Sequence, residues 1–376
     1  MAATNRVDDS KVDALLERAR REIDEGLLPS CQLALALDGE VIVDQCYGDS
    51  NVDTRYVIFS CTKGLVAGAV WMAFGDGILA PDQKVCEVIP EFGTNGKDVI
   101  TVEQLLMHTS GFPRAPMGPD VWADREKRLE RYAKWRLNWD PGTRMEYHPT
   151  SAHWVLADLV QQASGQDYRQ FVAERITGPL NLKGLSLGAP VDEQDGIATL
   201  AGVGELPDPD EVERLFGVRE IPLGEVTEEA LLHFNEPDAK AVGVPGGGGV
   251  ARACDIALYY QALLHNPGGL WDQEVLDDGT GVIRTTFPDP LIGGVSANRT
   301  RGMVVAGGDG KAAFRGFGRT ASARTFGHMG AGGQVAWADP ETGLSFCYLT
   351  NGLDANPLRS GRRGTSLSSK AAACVP

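Results

Sequence analysis

Ser60 and Lys63 stand three residues apart in Ser60-Cys61-Thr62-Lys63, directly before the apolar run Gly64-Leu65-Val66-Ala67-Gly68-Ala69-Val70-Trp71-Met72. On a helix that spacing puts hydroxyl and amine on one face. A neutral lysine amine can take the serine's proton, and the serine becomes a nucleophile. A helix start also supplies unpaired backbone N–H groups and a partial positive charge, which suit a developing oxyanion. The same four residues have a plainer reading, with Ser60 an N-cap and Lys63 an exposed first-turn side chain. A capping box, however, carries Glu or Gln at that third position. A first-turn cation also opposes the helix dipole, by about 0.3–1 kcal/mol. That field, together with burial, moves a lysine pKa in the direction a general base requires. Cys61 is read as packing, because one helical step turns it about 100° away from Ser60.

The elements that must position this pair follow from periodicity. Residues 11–26 read as an amphipathic helix, with Val12, Leu15, Leu16 and Ile23 at near-helical spacing. Cys31–Leu37 and Val41–Cys46 flank Asp38-Gly39-Glu40 and predict a hairpin. An extended piece at Tyr56-Val57-Ile58 leads into the Ser60 helix, which ends near Gly75. The middle of the chain reads as mostly helical. It has a short helix over Val102–His108, a charged surface-lying one over Val121–Leu137, one from Pro149-Thr150-Ser151 to Gly165, and one over Tyr168–Ile176. Residues 190–245 read as irregular acidic loops over one face, with a helix near Glu228–Phe234.

Pro245-Gly246-Gly247-Gly248-Gly249 lacks the Lys-Ser/Thr ending of a phosphate loop. It reads as a turn into a helix over Asp255–Leu264. Toward the C-terminus Met303–Val305 is extended, and Gln334–Ala338 with Leu344–Thr350 forms a second hairpin around Asp339-Pro340-Glu341-Thr342-Gly343. The arginines of the tail Arg359–Pro376 read as solvated surface. Strands at both ends with helices between predict an α/β (α+β) chain, with one antiparallel sheet built from the two termini, flanked by helices, and a mainly helical half inserted. The corresponding division is 1–75 with 285–376 as one half and 76–284 as the other, with the site in the cleft at their junction.

The formal charge of −16 over 376 residues argues against nucleic acid or an anionic membrane as partner. The N-terminus lacks an apolar signal core, and no apolar run reaches membrane-spanning length. Seven scattered cysteines without a C-x-x-C pair fit reduced thiols, and with them a cytoplasmic setting. Neither His-Glu-x-x-His nor a Cys/His cluster predicts a metal, and no cofactor is expected. An α/β-hydrolase elbow is not expected either.

Two further stretches complete a constellation: Tyr147 after the turn Pro141-Gly142-Thr143, and His328-Met329-Gly330 just before the last hairpin. With Ser60-x-x-Lys63, their order and spacing resemble the serine β-lactamase and penicillin-binding-protein superfamily. The likeness is closest to class C β-lactamases and the family VIII carboxylesterases of the same fold. Leu105-Leu106-Met107-His108-Thr109-Ser110-Gly111, Pro245–Gly249 and Trp337-Ala338-Asp339-Pro340-Glu341-Thr342-Gly343 are supporting landmarks, so the resemblance spans roughly residues 30–352.

The resemblance implies that Ser60 is acylated, that Lys63 and Tyr147 share the proton work, and that the N–H groups of Ser60 and Ala331 form the oxyanion hole. Which of Lys63 and Tyr147 is the base stays open. His328 and Gly330 fall on the strand expected to bind substrate. Two departures stand out. The family's Tyr-x-Asn is Tyr147-His148-Pro149 here, and proline offers no polar side chain. The family's motif-three lysine is His328, mostly neutral near pH 7.

Both changes remove groups that recognise amides and β-lactam carboxylates. They point to small carboxylic esters as substrates, since an alcohol leaves with less proton assistance than an amine. A β-lactamase or D-amino-acid peptidase/amidase, and an acyltransferase on the same acyl-enzyme, are the alternatives. A non-catalytic binding module is disfavoured because Ser60, Lys63, Tyr147 and His328 are all retained. Trp122 and Trp337 are read either as lining an apolar substrate pocket or as ordinary packing. Oligomeric state and the acyl and alcohol groups are not encoded in any recognisable pattern.

Overall fold

The computed structural model describes residues 6–216, 219 and 226–376. Helix α1 (Asp9–Asp24) is capped by Asp8, whose side chain accepts from the Lys11 N–H. Strands β1 (Ser30–Leu37) and β2 (Glu40–Gly48) follow, joined at Asp38-Gly39, both with positive φ as a tight hairpin turn requires. Helices α2 (Thr62–Gly75), α3 (Ser151–Ser164) and α4 (Ala253–His265) occupy the middle of the chain. Strands β3 (Val304–Val305), β4 (Phe326–Gly330), β5 (Gln334–Asp339) and β6 (Leu344–Thr350) then lead to helix α5 (Pro357–Ala372). The six strands form one antiparallel sheet in the order β2-β1-β6-β5-β4-β3, assembled from both ends of the chain as expected.

Strand alternation sorts the residues to two faces. Leu33, Leu35, Leu37, Val335, Trp337, Phe346 and Tyr348 point into a core with residues of α1 and α5. Ala34, Ala36, Ala336, Ala338, Cys347 and Leu349 point the other way, into the larger core that holds α2, α3 and α4. The small alanines on that face let α4 lie close: Gln261 of α4 donates to the Ala36 carbonyl at 2.9 Å, and Ser345 donates to the Ala257 carbonyl at 2.8 Å. Helix α2 is buried from Thr62 to Ala73, the pattern of a helix that is apolar all round and enclosed by others.

Two readings are corrected here, and for two tryptophans one of two readings is decided. Residues 121–137 do not lie on the surface. They form two short helices, Pro119–Trp122 and Arg125–Lys134, with Trp122, Arg128, Tyr132 and Trp135 buried. The charge that made the segment look solvated is neutralised, since Arg128 donates to Asp158 at 2.7 and 3.1 Å. The tail is likewise a packed helix. Its Arg363 is 1% exposed and pairs with Glu22 of α1 at 3.3 Å. Trp337 faces the α1/α5 core, on the side of the sheet away from α2, so it packs and lines no pocket near Ser60. Trp122 is also core, against Trp154 and Phe234.

Within 190–245 the structure adds helices over Pro209–Phe216 and Pro237–Val242 to the one at Glu228–Leu232. The loop reading of 217–218 and 220–225 lies outside the described residues. No helix among the described residues is long and apolar enough to cross a membrane.

Candidate active site

Ser60 is not the first residue of α2. Phe59–Cys61 forms a 3₁₀ turn and the α-helix begins at Thr62. Phe59 has φ 42°, a left-handed conformation that strains a bulky residue by about 1–3 kcal/mol. Its ring is clamped edge-on against Phe234 at a centroid distance of 5.7 Å. The turn is fixed from three sides. Tyr56–Val57 pairs with the short strand Gly249–Ala251, the Gly249 N–H donates to Thr62 Oγ1 at 2.9 Å, and the Cys61 thiol donates to the His328 carbonyl at 3.2 Å. Burial pushes the Cys61 thiol up to about 12, so it is a packing and tethering residue and not a thiolate.

The spacing of Ser60 and Lys63 survives this shift. Lys63 Nζ lies 3.1 Å from Ser60 Oγ. Lys63 is fully buried, and its Nζ also donates to the carbonyls of Pro149 at 2.7 Å and Gly246 at 2.6 Å. Burial holds the amine well below the usual lysine range, and the Arg299 guanidinium adds to the effect. Tyr147 comes from the segment ahead of α3 and donates its phenol to Ser60 Oγ at 2.8 Å. Burial raises Tyr147 to about 12, although the Ser60 hydrogen bond and Arg299 pull the other way.

The glycine run thus has a role that turn propensity did not reveal. A Cβ on Gly246 would stand 2.7 Å from the Pro149 carbonyl, so only glycine lets both carbonyls converge on one ammonium or amine. Pro149, the departure from Tyr-x-Asn, meets Lys63 through its backbone instead of a side chain. The run is followed by a strand before α4, not by a direct turn into the helix.

On the sheet side, His328 is buried on β4, and its Nδ1–H donates to the Met329 carbonyl at 2.7 Å. Burial, then the neighbouring Arg299 and Lys63 charges, holds its ring well below the ordinary histidine pKa. Gly330 ends β4 against the Ile58 carbonyl, where an added Cβ would approach to 2.6 Å. That close approach brings the residue after it, Ala331, to the turn that carries Ser60. The edge of β4 is covered by β3 at Phe326 and Gly327, and among the described residues His328–Gly330 has no strand partner on that side.

Residues that sequence reasoning did not single out surround Tyr147. The His108 ring is 4.8 Å from it, the His328 ring 6.0 Å, and the Arg299 guanidinium carbon 5.3 Å from the ring centre. His108 accepts from the His148 N–H at 3.1 Å. His148 donates from Nδ1 to the Glu146 carbonyl at 2.7 Å, while its Nε2 accepts from the Phe112 N–H at 3.1 Å. Burial lowers it to about 3, so it is a neutral strut that holds the Tyr147 loop on the Phe112 loop. His108 stood in a landmark already noted, but nothing in the sequence marks Arg299.

Gly184-Leu185-Ser186-Leu187-Gly188 has the letters of a nucleophile elbow. It is no such turn: Ser186–Leu187 is a strand paired with Val250 and Gly249, with no helix launched from it. Among the described residues no group of three or more His, Cys, Asp or Glu side chains is arranged to hold a metal.

A serine hydroxyl between a buried lysine and a tyrosine, beneath the open edge of an antiparallel sheet, defines a serine hydrolase of β-lactamase fold. The comparisons agree. The Beta-lactamase family model matches residues 12–368, and the chain belongs to that family. The esterase/beta-lactamase LipL of Mycobacterium tuberculosis is 26% identical over 366 residues, covering 85% of this chain and 76% of the relative. A penicillin-binding-protein homolog from Caulobacter crescentus has a TM-score of 0.80 at 26% identity over 97% of both chains. A family VIII carboxylesterase has a TM-score of 0.78 at 24% identity, also over 97% of both, and shows the shared fold.

Proposed function

We propose that this enzyme is a carboxylesterase that cleaves small esters through an acyl-enzyme on Ser60. The observation that carries the reading is the pair of contacts on Ser60 Oγ, Lys63 at 3.1 Å and Tyr147 at 2.8 Å. A neutral amine has two N–H bonds and one lone pair. The Pro149 and Gly246 carbonyls take the two N–H bonds, so the lone pair falls to the Ser60 hydroxyl. Tyr147, raised to about 12, is a phenol in the resting site and donates to Ser60 Oγ. This assigns the base to Lys63 and leaves Tyr147 as the relay.

Ser60 Oγ attacks the ester carbonyl carbon while its proton passes to Lys63 Nζ. The oxyanion is held by the N–H groups of Ser60 and Ala331. The C–O bond then breaks, and the alcohol oxygen takes a proton from Tyr147, which is resupplied by Lys63. Water attacks the acyl carbonyl by the same relay, and Ser60 is regenerated. The ester preference is supported by Pro149, which brings only a carbonyl to the place of an amide side chain, and by a neutral His328 in place of a fixed cation. The esterase/beta-lactamase name of the Mycobacterium tuberculosis relative is consistent with it. A small-molecule ester as the partner, without nucleic acid or membrane, follows from the same reading.

The test is hydrolysis of a short-chain p-nitrophenyl ester beside a chromogenic cephalosporin, by wild type and Ser60→Ala. Ester turnover that is lost in Ser60→Ala, with little cephalosporin turnover, is the expected result. Efficient cephalosporin turnover would instead assign a β-lactamase, and ester turnover surviving in Ser60→Ala would remove Ser60 from the mechanism. Transfer of the acyl group to an added alcohol would identify an acyltransferase.

A further inference from the structure

His108 stands where glycine is the usual residue. The short helix Val102–Leu106 ends at Met107, and two backbone bonds close it. The His108 N–H donates to the Leu105 carbonyl at 3.2 Å, and the Thr109 N–H to the Gln104 carbonyl at 2.9 Å. The residue at that place is left-handed, and His108 has φ 58°. Glycine takes this conformation without strain, yet a buried ring, 1% exposed, occupies it here. Closing the helix asks for no side chain, so the ring is explained by what it touches.

Its contacts lie on both sides of Tyr147. The His108 carbonyl accepts from the Glu146 N–H at 3.2 Å, and its Nδ1 accepts from the His148 N–H at 3.1 Å. One residue thus takes the N–H groups that flank the tyrosine. Its ring also lies against the Tyr147 ring, 4.8 Å between centroids and tilted by 41°. Residues 144–148 have no helix or strand of their own to fix them. Arg114, Arg144 and Ser110 hold the side chains of Glu146 and His148, whereas His108 holds the backbone on both sides and the tyrosine ring itself. An Nδ1 that accepts keeps the His108 ring neutral, with its proton on Nε2. Burial acts in the same sense and holds its pKa well below the ordinary histidine value.

We propose that His108 is a positioning residue for Tyr147, setting the phenol at 2.8 Å from Ser60 Oγ, where it hands its proton to the departing alcohol. This inference rests on the proposed relay and names the residue that aims it. His108 moves no proton itself. The phenolic O–H bond breaks, the alcohol O–H bond forms, and Lys63 resupplies Tyr147 as before.

The role is read by what the leaving alcohol needs. p-Nitrophenyl butyrate and ethyl butyrate share an acyl group, but nitrophenolate leaves unprotonated and the ethyl alkoxide does not. The ratio of their kcat/KM values cancels any loss of active protein. Tyr147→Phe, which removes the donor, should lower the value for the ethyl ester by about tenfold to a hundredfold more than that for the p-nitrophenyl ester. His108→Gly suits the left-handed backbone and deletes only the ring. It should shift the ratio the same way by about threefold to thirtyfold. His108→Asn should restore the ratio to within about threefold of wild type, because asparagine tolerates positive φ and its Oδ1 stands where Nδ1 did. In a Tyr147→Phe background, His108→Gly should leave the ratio unchanged.

Crystal structures of the two variants read the same role without turnover. The phenol should be displaced from Ser60 Oγ in His108→Gly and in place in His108→Asn. A ratio unmoved by His108→Gly, or a phenol still in place in that variant, would overturn the positioning role and leave the relay standing. A ratio unmoved by Tyr147→Phe would overturn the relay, and no turnover of either ester by wild type would overturn the esterase reading. In both cases the two crystal structures still decide whether His108 places the phenol.

Discussion

Two lysines in this chain have nearly the same surroundings and, on the proposed mechanism, different work. Lys63 and Lys97 are both fully buried, and each follows a hydroxyl residue by three positions, Ser60 and Thr94. Each Nζ donates to two carbonyls and lies near one hydroxyl: Pro149, Gly246 and Ser60 for the first, Trp135, Thr94 and Thr94 Oγ1 for the second. Each also lies over an aromatic ring, 5.0 Å from Tyr147 and 5.5 Å from Phe92. The difference lies in what else reaches the hydroxyl. Ser60 Oγ receives a second hydrogen bond, from Tyr147, and sits below an open strand edge, with Arg299 and His108 close by. Thr94 is exposed, and its Oγ1 donates to the Ala133 carbonyl at 2.7 Å, which pins a loop. A buried lysine beside a hydroxyl is therefore not a catalytic site until a proton acceptor, a relay and a substrate edge meet there.

The largest effect that tests this contrast is loss of either reacting group. Ser60→Ala and Lys63→Ala should each lower kcat/KM for the ester by about 10³-fold or more, while Lys97→Met stays within about threefold of wild type. Lys97→Met should instead lower stability by about 1–3 kcal/mol, because the Thr94 and Trp135 carbonyls are left unpaired. An ester rate that falls as steeply in Lys97→Met would erase the distinction.

The pH dependence sharpens it. Lys63 must be neutral to act, so kcat/KM should fall on the acid side as its amine protonates. Lys97 is lowered to about 8 by burial and by Arg136, inside the range such a profile covers. The profiles of wild type and Lys97→Met should nevertheless superimpose. The Lys97 titration belongs to stability. Between about 8 and 10.5 the unfolded chain binds more protons than the folded one, so the contribution is present above 10.5 and is lost as pH falls to about 8. Chemical denaturation of wild type and Lys97→Met through that window reads it directly.

A third difference is in acid. His108, His148, His153 and His328 surround the Lys63 site and are all held below the ordinary histidine value of 6.5 by burial. Their contribution is present above pH 6.5 and is lost as pH falls through their folded values, about 3 for His148. Each adds a slope of up to about 1.4 kcal/mol per pH unit. Amide exchange near residues 108–112 and 146–153 should accelerate on acidification before that near Lys97. Replacing His148 with Asn should flatten this slope.

The smallest effect is expected at Cys61. Cys61→Ala removes one weak hydrogen bond to His328 and should leave ester turnover within about tenfold of wild type, whereas a thiol nucleophile would lose it all.

Much of this was legible along the chain because it is local. Helix periodicity placed α1 and α3, and two turn signals placed the hairpins β1–β2 and β5–β6. Ser60-x-x-Lys63, Tyr147 and His328 were recognisable by type and spacing, and the structure brings them within contact of one another. The misreadings share one cause. Arg128 and Arg363 looked solvated because a sequence shows a charge but not the carboxylate, Asp158 or Glu22, that meets it. For Trp337 the choice between packing and a substrate pocket stayed open, because alternation assigns faces of a strand without saying what covers each one.

By itself the sequence determined the fold class, the family and which side chains are proposed to react, since these depend on local periodicity and on residues that must be of one chemical type. Only the tertiary structure decided how those side chains are tuned. The carbonyls of Pro149 and Gly246 that hold the Lys63 amine come from segments far apart in the chain, and any residue has a carbonyl to offer. Arg299 is one arginine among many until folding buries it over Tyr147, with its Nε and Nη1 left without a hydrogen-bond partner among the described residues. Desolvation and convergence are properties of three-dimensional neighbours, and no spacing along the chain encodes them.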